Sequence, residues 1–183
     1  LKPLKLDTAR FRTVVEQQGG TVDATGYVTP TDRPAKAVDG NPRTAWTAPQ
    51  RVVQFRTPPN LTLKLPAPAE VAALRVTPSS SPLPAHPKLV AIDLGDGPQV
   101  RAMTGYGGAQ TLALRPHTTD TIKVSILDWD DVIDRTALGF DQLKPPGLAE
   151  IAAVDAHGRP IAAADAARNR SRAVTLPCGR GPI

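Results

Sequence analysis

The chain has 183 residues, 40% of them hydrophobic, with a net charge of +5. That composition fits a globular domain with a sizeable core and argues against disorder. No apolar run approaches the roughly 18 to 20 residues of a membrane span, which excludes a spanning helix.

The basic residues are scattered. Arg168, Arg170, Arg172 and Arg180 form the only local excess, without interleaved aromatics, so the nucleic-acid signal is weak. Cys178 is the single cysteine, which leaves neither a disulfide framework nor a Cys-based zinc site within the chain. The sequence starts at Leu1 without an initiator Met or signal-like region, and reads as a piece of something longer. Twenty prolines and fourteen glycines favour many short strands over helices.

In chain order, residues 1–20 read as a linker or a strand from a neighbouring domain, with a short strand at 12–15. Residues 21–27 alternate enough to open a sheet, and a polar loop follows to 34. Residues 35–46 form a tight, oxygen-rich turn in which Gly40 and Pro42 fold the backbone back on itself. Strands are expected at 52–55, 61–65 and 71–76, the last two separated by Pro66 and Pro68. The proline-rich run 77–87 reads as an exposed loop. Strand 89–94 ends at a strong turn, Gly95-Asp96-Gly97, and strands at 100–103, 111–114 and 122–127 follow. A long loop over 128–146 and a closing strand at 148–154 complete a domain spanning 21–158. Residues 159–183 read as a C-terminal linker and the start of a following segment. About eight strands with regular turn signals indicate an all-β jelly-roll sandwich.

Two motifs then combine: Ala37-Val-Asp-Gly-Asn-Pro-Arg-Thr-Ala-Trp near the start and Gly147-Leu-Ala-Glu-Ile near the end. In this order they resemble the F5/8 type C (discoidin-like) domains, of which carbohydrate-binding module family 32 is a branch. The resemblance implies a structural calcium joining the early turn to the last strand. By position its ligands would be the carbonyls of Lys36, Asn41, Thr44 and Ala149, the hydroxyl of Thr44, and the carboxylates of Asp39 and Glu150. Such an all-oxygen set suits calcium, which takes six to eight oxygens, and not zinc. Trp46 would then be a core residue beneath the turn.

Galactose-binding members share a His just after that Trp and an Arg with a nearby Asn in a mid-chain loop. Here Thr47 stands after Trp46, and the loop is the serine- and proline-rich run 77–87, so the usual galactose set is missing. A narrower resemblance lies in Leu176-Pro-Cys-Gly-Arg-Gly-Pro, which is similar to the soluble part of the large mycobacterial D-type arabinofuranosyltransferases. Those are GT-C class membrane enzymes of cell-wall arabinan synthesis with extracytoplasmic carbohydrate-binding-like modules. It implies a module outside the membrane whose partners are arabinan or galactan and the other domains of its parent, with no nucleic acid and no direct membrane insertion.

A sugar site usually needs an aromatic face and a few polar groups. Trp129, flanked by Asp128, Asp130 and Asp131, is the best platform candidate; the alternative is a ring packed over the sandwich end with aspartates in water. Asp130, Thr47 and His86 complete the candidate set, although a loop His can equally be without function. His117 and His157 read as solvent residues, and Phe55 as core. The run 128–134 fails the EF-hand pattern at Val132 and Ile133. Asp130 and Glu150 could be imagined as a glycosidase pair, but a calcium-bound Glu150 would not titrate near neutrality. No nucleophile elbow, metalloprotease helix or phosphate loop occurs, so no catalytic residue is expected. A sandwich that only braces neighbouring domains is the rival reading. A third, lipid-head-group binding, would rest on Leu83 and Trp129 as apolar spikes.

Overall fold

Two long antiparallel strands set the architecture. The computed structural model describes residues 34–104, 108–135 and 139–161, and the backbone of 22–24. The expected strand at 12–15, Tyr27, Tyr106, Cys178 and the tail motif lie outside the described residues. Strand β1 is Val22–Ala24, followed by a 3-10 turn at Pro34–Ala37, β2 at Trp46–Thr47 and a five-residue helix α1 at Arg51–Phe55. Then come β3 (Asn60–Thr77), β4 (Pro87–Asp93), β5 (Pro98–Ala102) and β6 (Gln110–Trp129). A small hairpin of β7 (Ile133–Arg135) and β8 (Asp141–Leu143) precedes β9 (Gly147–Leu148) and β10 (Glu150–Val154).

The main sheet runs β1-β3-β6-β4-β5, with β10 also paired to β3. β1 pairs with the first part of β3, at Leu61–Leu63, and β10 with its last part, at Ala73–Thr77. Both expected strands, 61–65 and 71–76, are therefore present, but as one continuous strand. The prolines do not break it, because its register with β6 shifts between Lys64 and Ala69, where Pro66 and Pro68 need not supply ladder N–H groups. The same holds for 111–114 and 122–127, which join through Pro116 into β6.

Alternation explains the packing. Leu61, Leu63 and Leu65 are buried while Thr62 and Lys64 turn away, and Ile122, Val124 and Ile126 answer them from β6. The Asp93 carboxylate accepts the amides of Gly95 at 2.8 Å and Gly97 at 3.3 Å, both glycines at positive φ, and so closes the β4–β5 turn.

Four expectations are corrected. Residues 51–55 are a helix, with the adjacent pair Val52 and Val53 buried, and Arg56 ends it in the left-handed region at φ 48°. Phe55 is 69% exposed and is not core. The proline-rich loop is partly internal: Pro78, Ser79, Pro84, Ala85 and His86 are buried. The 128–146 stretch is not one loop, since it contains the end of β6 and the β7–β8 hairpin.

Candidate metal clasp and ligand cleft

The turn at 35–46 gathers oxygens as the motif demands. Thr44 Oγ1 lies 3.0 and 2.8 Å from the two Asp39 carboxylate oxygens and 3.0 Å from the Asn41 carbonyl. The Asn41 amide donates to Asp39 at 2.9 Å, and Thr44 N–H donates to the Asn41 carbonyl at 3.0 Å. Gly40 adopts φ 69°, which lets the chain reverse between the two side chains.

Glu150 reaches this turn from the far end of the fold. β2 pairs with β9, placing Trp46 opposite Leu148 and Thr47 opposite Gly147, while β10 packs against the 3-10 turn that carries Lys36. Gly147 must be glycine for this: a Cβ there would collide with the Trp46 carbonyl and with the Pro84 ring. Its amide donates to Ala85 at 3.2 Å, and the buried Ala149 donates to Thr77 at 3.0 Å.

The electrostatics of the junction are strained in a defined way. Burial, then a hydrogen bond to Asp39 and the negative charge of Asp39, push the Glu150 carboxyl up from 4.5 to about 7. The nearby amides of Asn41 and Gly40 favour the charged form but do not offset those effects. Glu150 Oε1 is buried without a hydrogen-bond partner among the described residues. Lys36 Nζ, 3.5 Å from Asp39 Oδ2, compensates part of the charge. Two facing carboxylates, an orphaned oxygen and a cluster of neutral oxygens fit a hard divalent cation. Among the described residues no three His, Cys, Asp or Glu side chains converge, so backbone oxygens would have to provide most of the shell. Of the expected ligands Lys36, Asp39, Asn41, Thr44, Ala149 and Glu150, only Asp39 and Glu150 would offer carboxylates, the others carbonyls and the Thr44 hydroxyl.

Beside the clasp lies a cleft of about 570 Å³. Lys36, Arg43, Thr44, Ala45 and Thr47 form one wall; Ser79, Ser80, Ser81, Leu83 and Pro84 form the other, and Lys144 with Pro145 closes it. Thr47 is therefore at the cleft, as its position after Trp46 implies.

The other carbohydrate candidates are placed differently. Trp129 is 3% exposed, paired opposite Pro87 and packed in the core, so its ring offers no face to a ligand. With Trp129 inside, the pair of apolar spikes considered for lipid binding is also dismantled. His86 is 4% exposed, with Nε2 2.9 Å from the carbonyls of both Ser79 and Ser81; it shapes the serine wall from behind. Asp130 sits behind that wall too, its amide donating to the His86 carbonyl at 3.0 Å and its Oδ2 3.9 Å from His86 Nδ1. Asp128 and Asp131 face Lys88 and Arg56, each at 3.4 Å. Sequence reasoning missed Arg43, Lys144 and the three serines as cleft residues. Arg43 stands within the motif turn itself, and the sequence of the serine loop shows only that the galactose set is absent.

The family model of the third carbohydrate-binding module of arabinofuranosyltransferase D matches residues 19–165. The chain belongs to that family. Alpha-(1->3)-arabinofuranosyltransferase of Mycolicibacterium smegmatis is 65% identical over 147 residues. The match takes in 80% of this chain and 10% of the relative, so the module spans about a tenth of that protein's length. Among solved structures, arabinofuranosyltransferase AftD from Mycobacteria superposes with a TM-score of 0.79 at 53% identity, covering 92% of this chain and 13% of that one. The family 32 module of C. perfringens NanJ, solved with galactose, superposes with a TM-score of 0.52 at 18% identity, over 75% of this chain and 94% of that one. This second likeness shows the discoidin-like β-sandwich fold. The resemblance drawn from the two motifs pointed to this fold, and the one drawn from the tail motif pointed to the arabinofuranosyltransferase.

Proposed function

We propose that this module is a non-catalytic glycan-binding part of an extracytoplasmic arabinofuranosyltransferase, holding arabinan or a related cell-wall glycan in the cleft beside Thr47. The observation that carries this reading is the cleft itself: concave, lined with hydroxyls and cations, and built where the first motif's turn meets the serine loop and Lys144. Pockets of roughly 300 to 1,000 Å³ with a few convergent polar groups are the usual form of small-ligand sites. Weak binding at one site would suffice, because tethering to a larger protein raises the effective glycan concentration. No helix among the described residues is long and apolar enough to cross a membrane, so anchoring would fall to other parts of the parent.

Calcium would be held by the carboxylates of Asp39 and Glu150, the carbonyls of Lys36, Asn41, Thr44 and Ala149, and the Thr44 hydroxyl. Its contribution would be charge neutralisation that clamps the early turn to β10. The module's own residues do the rest. Thr44 orients Asp39, Gly147 permits the close approach of β9 to β2, and Trp46, fully buried, fills the space beneath.

A second reading has its own observation. Phe55, Ile133 and Phe140 are 69%, 65% and 70% exposed, a share of apolar surface that neighbouring domains could cover. Calorimetry with arabinan fragments separates the two. Ser80 is exposed at the cleft wall, so Ser80→Trp fills the cleft without touching the core. Millimolar binding that Ser80→Trp abolishes supports the glycan site; no heat from any arabinan or galactan fragment leaves the bracing role.

A further inference from the structure

We propose that the cleft recognises an anionic group on its glycan, a carboxylate or phosphoryl substituent, with Arg43 as the first contact. This rests on reading the cleft as the glycan site, and it names the class of ligand that the site prefers.

Three cationic side chains, Lys36, Arg43 and Lys144, line the cleft, and no aromatic or carboxylate side chain does so among the described residues. Without a ring to stack on, a neutral sugar loses the usual apolar contact of such sites. An anion gains instead. Arg43 is exposed and pairs with no carboxylate among the described residues, so its guanidinium fork is available for bidentate bonding. Lys144 meets Asp134 at 3.2 Å and Lys36 meets Asp39 at 3.5 Å, but both carboxylates approach from outside the lining. Asp134 is 49% exposed, and ion pairs of that kind are weak enough to exchange partners. Concave walls carrying one sign of charge focus potential and attract the opposite charge.

The Thr44 hydroxyl is committed to Asp39, but those of Thr47, Ser80 and Ser81 lie around these cations. They suit the neutral oxygens next to an anionic substituent. Ser79 is committed elsewhere, donating to the Leu83 carbonyl at 3.0 Å, which keeps the wall in shape.

The test is NMR titration of the 183-residue chain with methyl glucuronide, glucose 1-phosphate and methyl glucoside, alongside a neutral arabino-oligosaccharide. At low salt at least one acidic sugar should bind about tenfold more tightly than methyl glucoside, shifting the amides of Arg43, Thr44, Thr47, Ser80 and Ser81. Most of that advantage should vanish in about 0.5 M salt, where screening is short-ranged, and in Arg43→Gln. Which acidic sugar wins distinguishes carboxylate from phosphoryl recognition. Equal affinity for glucoside and acidic sugars, or an undiminished preference in Arg43→Gln, overturns the inference. If arabinan fragments shift the cleft amides and acidic sugars show no advantage, this inference falls while the glycan site stands. If acidic sugars bind there and arabinan does not, the inference stands and the arabinan assignment falls. Silence from all of them removes both.

Discussion

Replacing Glu150 by Gln tests the clasp through a pH profile. In the metal-free fold the Glu150 carboxyl is raised from 4.5 to about 7 by burial and by Asp39. The folded state therefore binds its proton more tightly than the unfolded chain does. Stability from this group is fully present below about 4.5 and is lost as pH rises towards 7. At about 1.36 kcal/mol for each tenfold change in proton affinity, the full loss is about 3 kcal/mol. For a chain of this size that is about 6 to 12 °C in melting temperature. The assay is thermal or urea unfolding in chelator between pH 4.5 and 8, then with calcium. Wild type should weaken across that range in chelator and recover in calcium, by about 2.7 kcal/mol at a hundredfold excess over Kd. Glu150→Gln should hold a flat profile in chelator, exceed wild type at pH 8, and gain almost nothing from calcium. Asp96, held low by its hydrogen bond to Arg115, and Asp155, held low chiefly by the Arg159 amide, act with the opposite sign. Their stability is lost only as pH falls below the usual carboxylate range. A Glu150→Gln profile that parallels wild type, or an equal calcium response, refutes the reasoning.

Other perturbations separate structure from binding. Gly147→Ala forces a Cβ against backbone at Trp46 and should cost about 3 kcal/mol, the upper end for overpacking, in urea unfolding. Trp129→Ala should destabilise by about 3 to 5 kcal/mol by leaving a core cavity, while the conservative Trp129→Phe should keep glycan affinity unchanged in calorimetry. Thr44→Val removes the hydroxyl between Asp39 and Asn41; calcium titration should show at least about tenfold weaker binding, with chelator stability changed by no more than about 1 kcal/mol. Calcium binding near pH 7 should release protons, because the metal displaces the proton that Glu150 holds; equal binding heats in buffers of different ionisation enthalpy would contradict this.

The oxygen-rich turn was legible because its chemistry is local in sequence. Asp39, Gly40, Asn41 and Thr44 lie within six positions, and the shape of their turn follows from residue type. Period-two alternation likewise gave Leu61, Leu63, Ile122 and Val124 their correct faces. What escaped depends on contacts distant along the chain. Trp129 is surrounded by aspartates in sequence, which suggests a surface ring, yet a register shift against β4 between Ile126 and Asp128 breaks the alternation and turns it inward, while Asp128 and Asp131 find Lys88 and Arg56. Short apolar runs are ambiguous between helix and strand, and Val52 and Val53 are buried side by side rather than alternately. His86 reads from sequence as a loop residue, whereas the fold turns it under Ser79 and Ser81. The cleft needed the turn, the serine loop and Lys144 brought together before its charge could be seen.

The glycan site is tested most directly by where a glycan touches the module. Amide chemical shifts recorded during titration with an arabino-oligosaccharide, calcium present, supply that measurement. Saturable shifts confined to residues 43–47, 79–84 and 144–145 are expected. No shift at millimolar ligand, or shifts centred on Trp129 or around Arg101 and Arg115, would contradict a glycan site in the cleft.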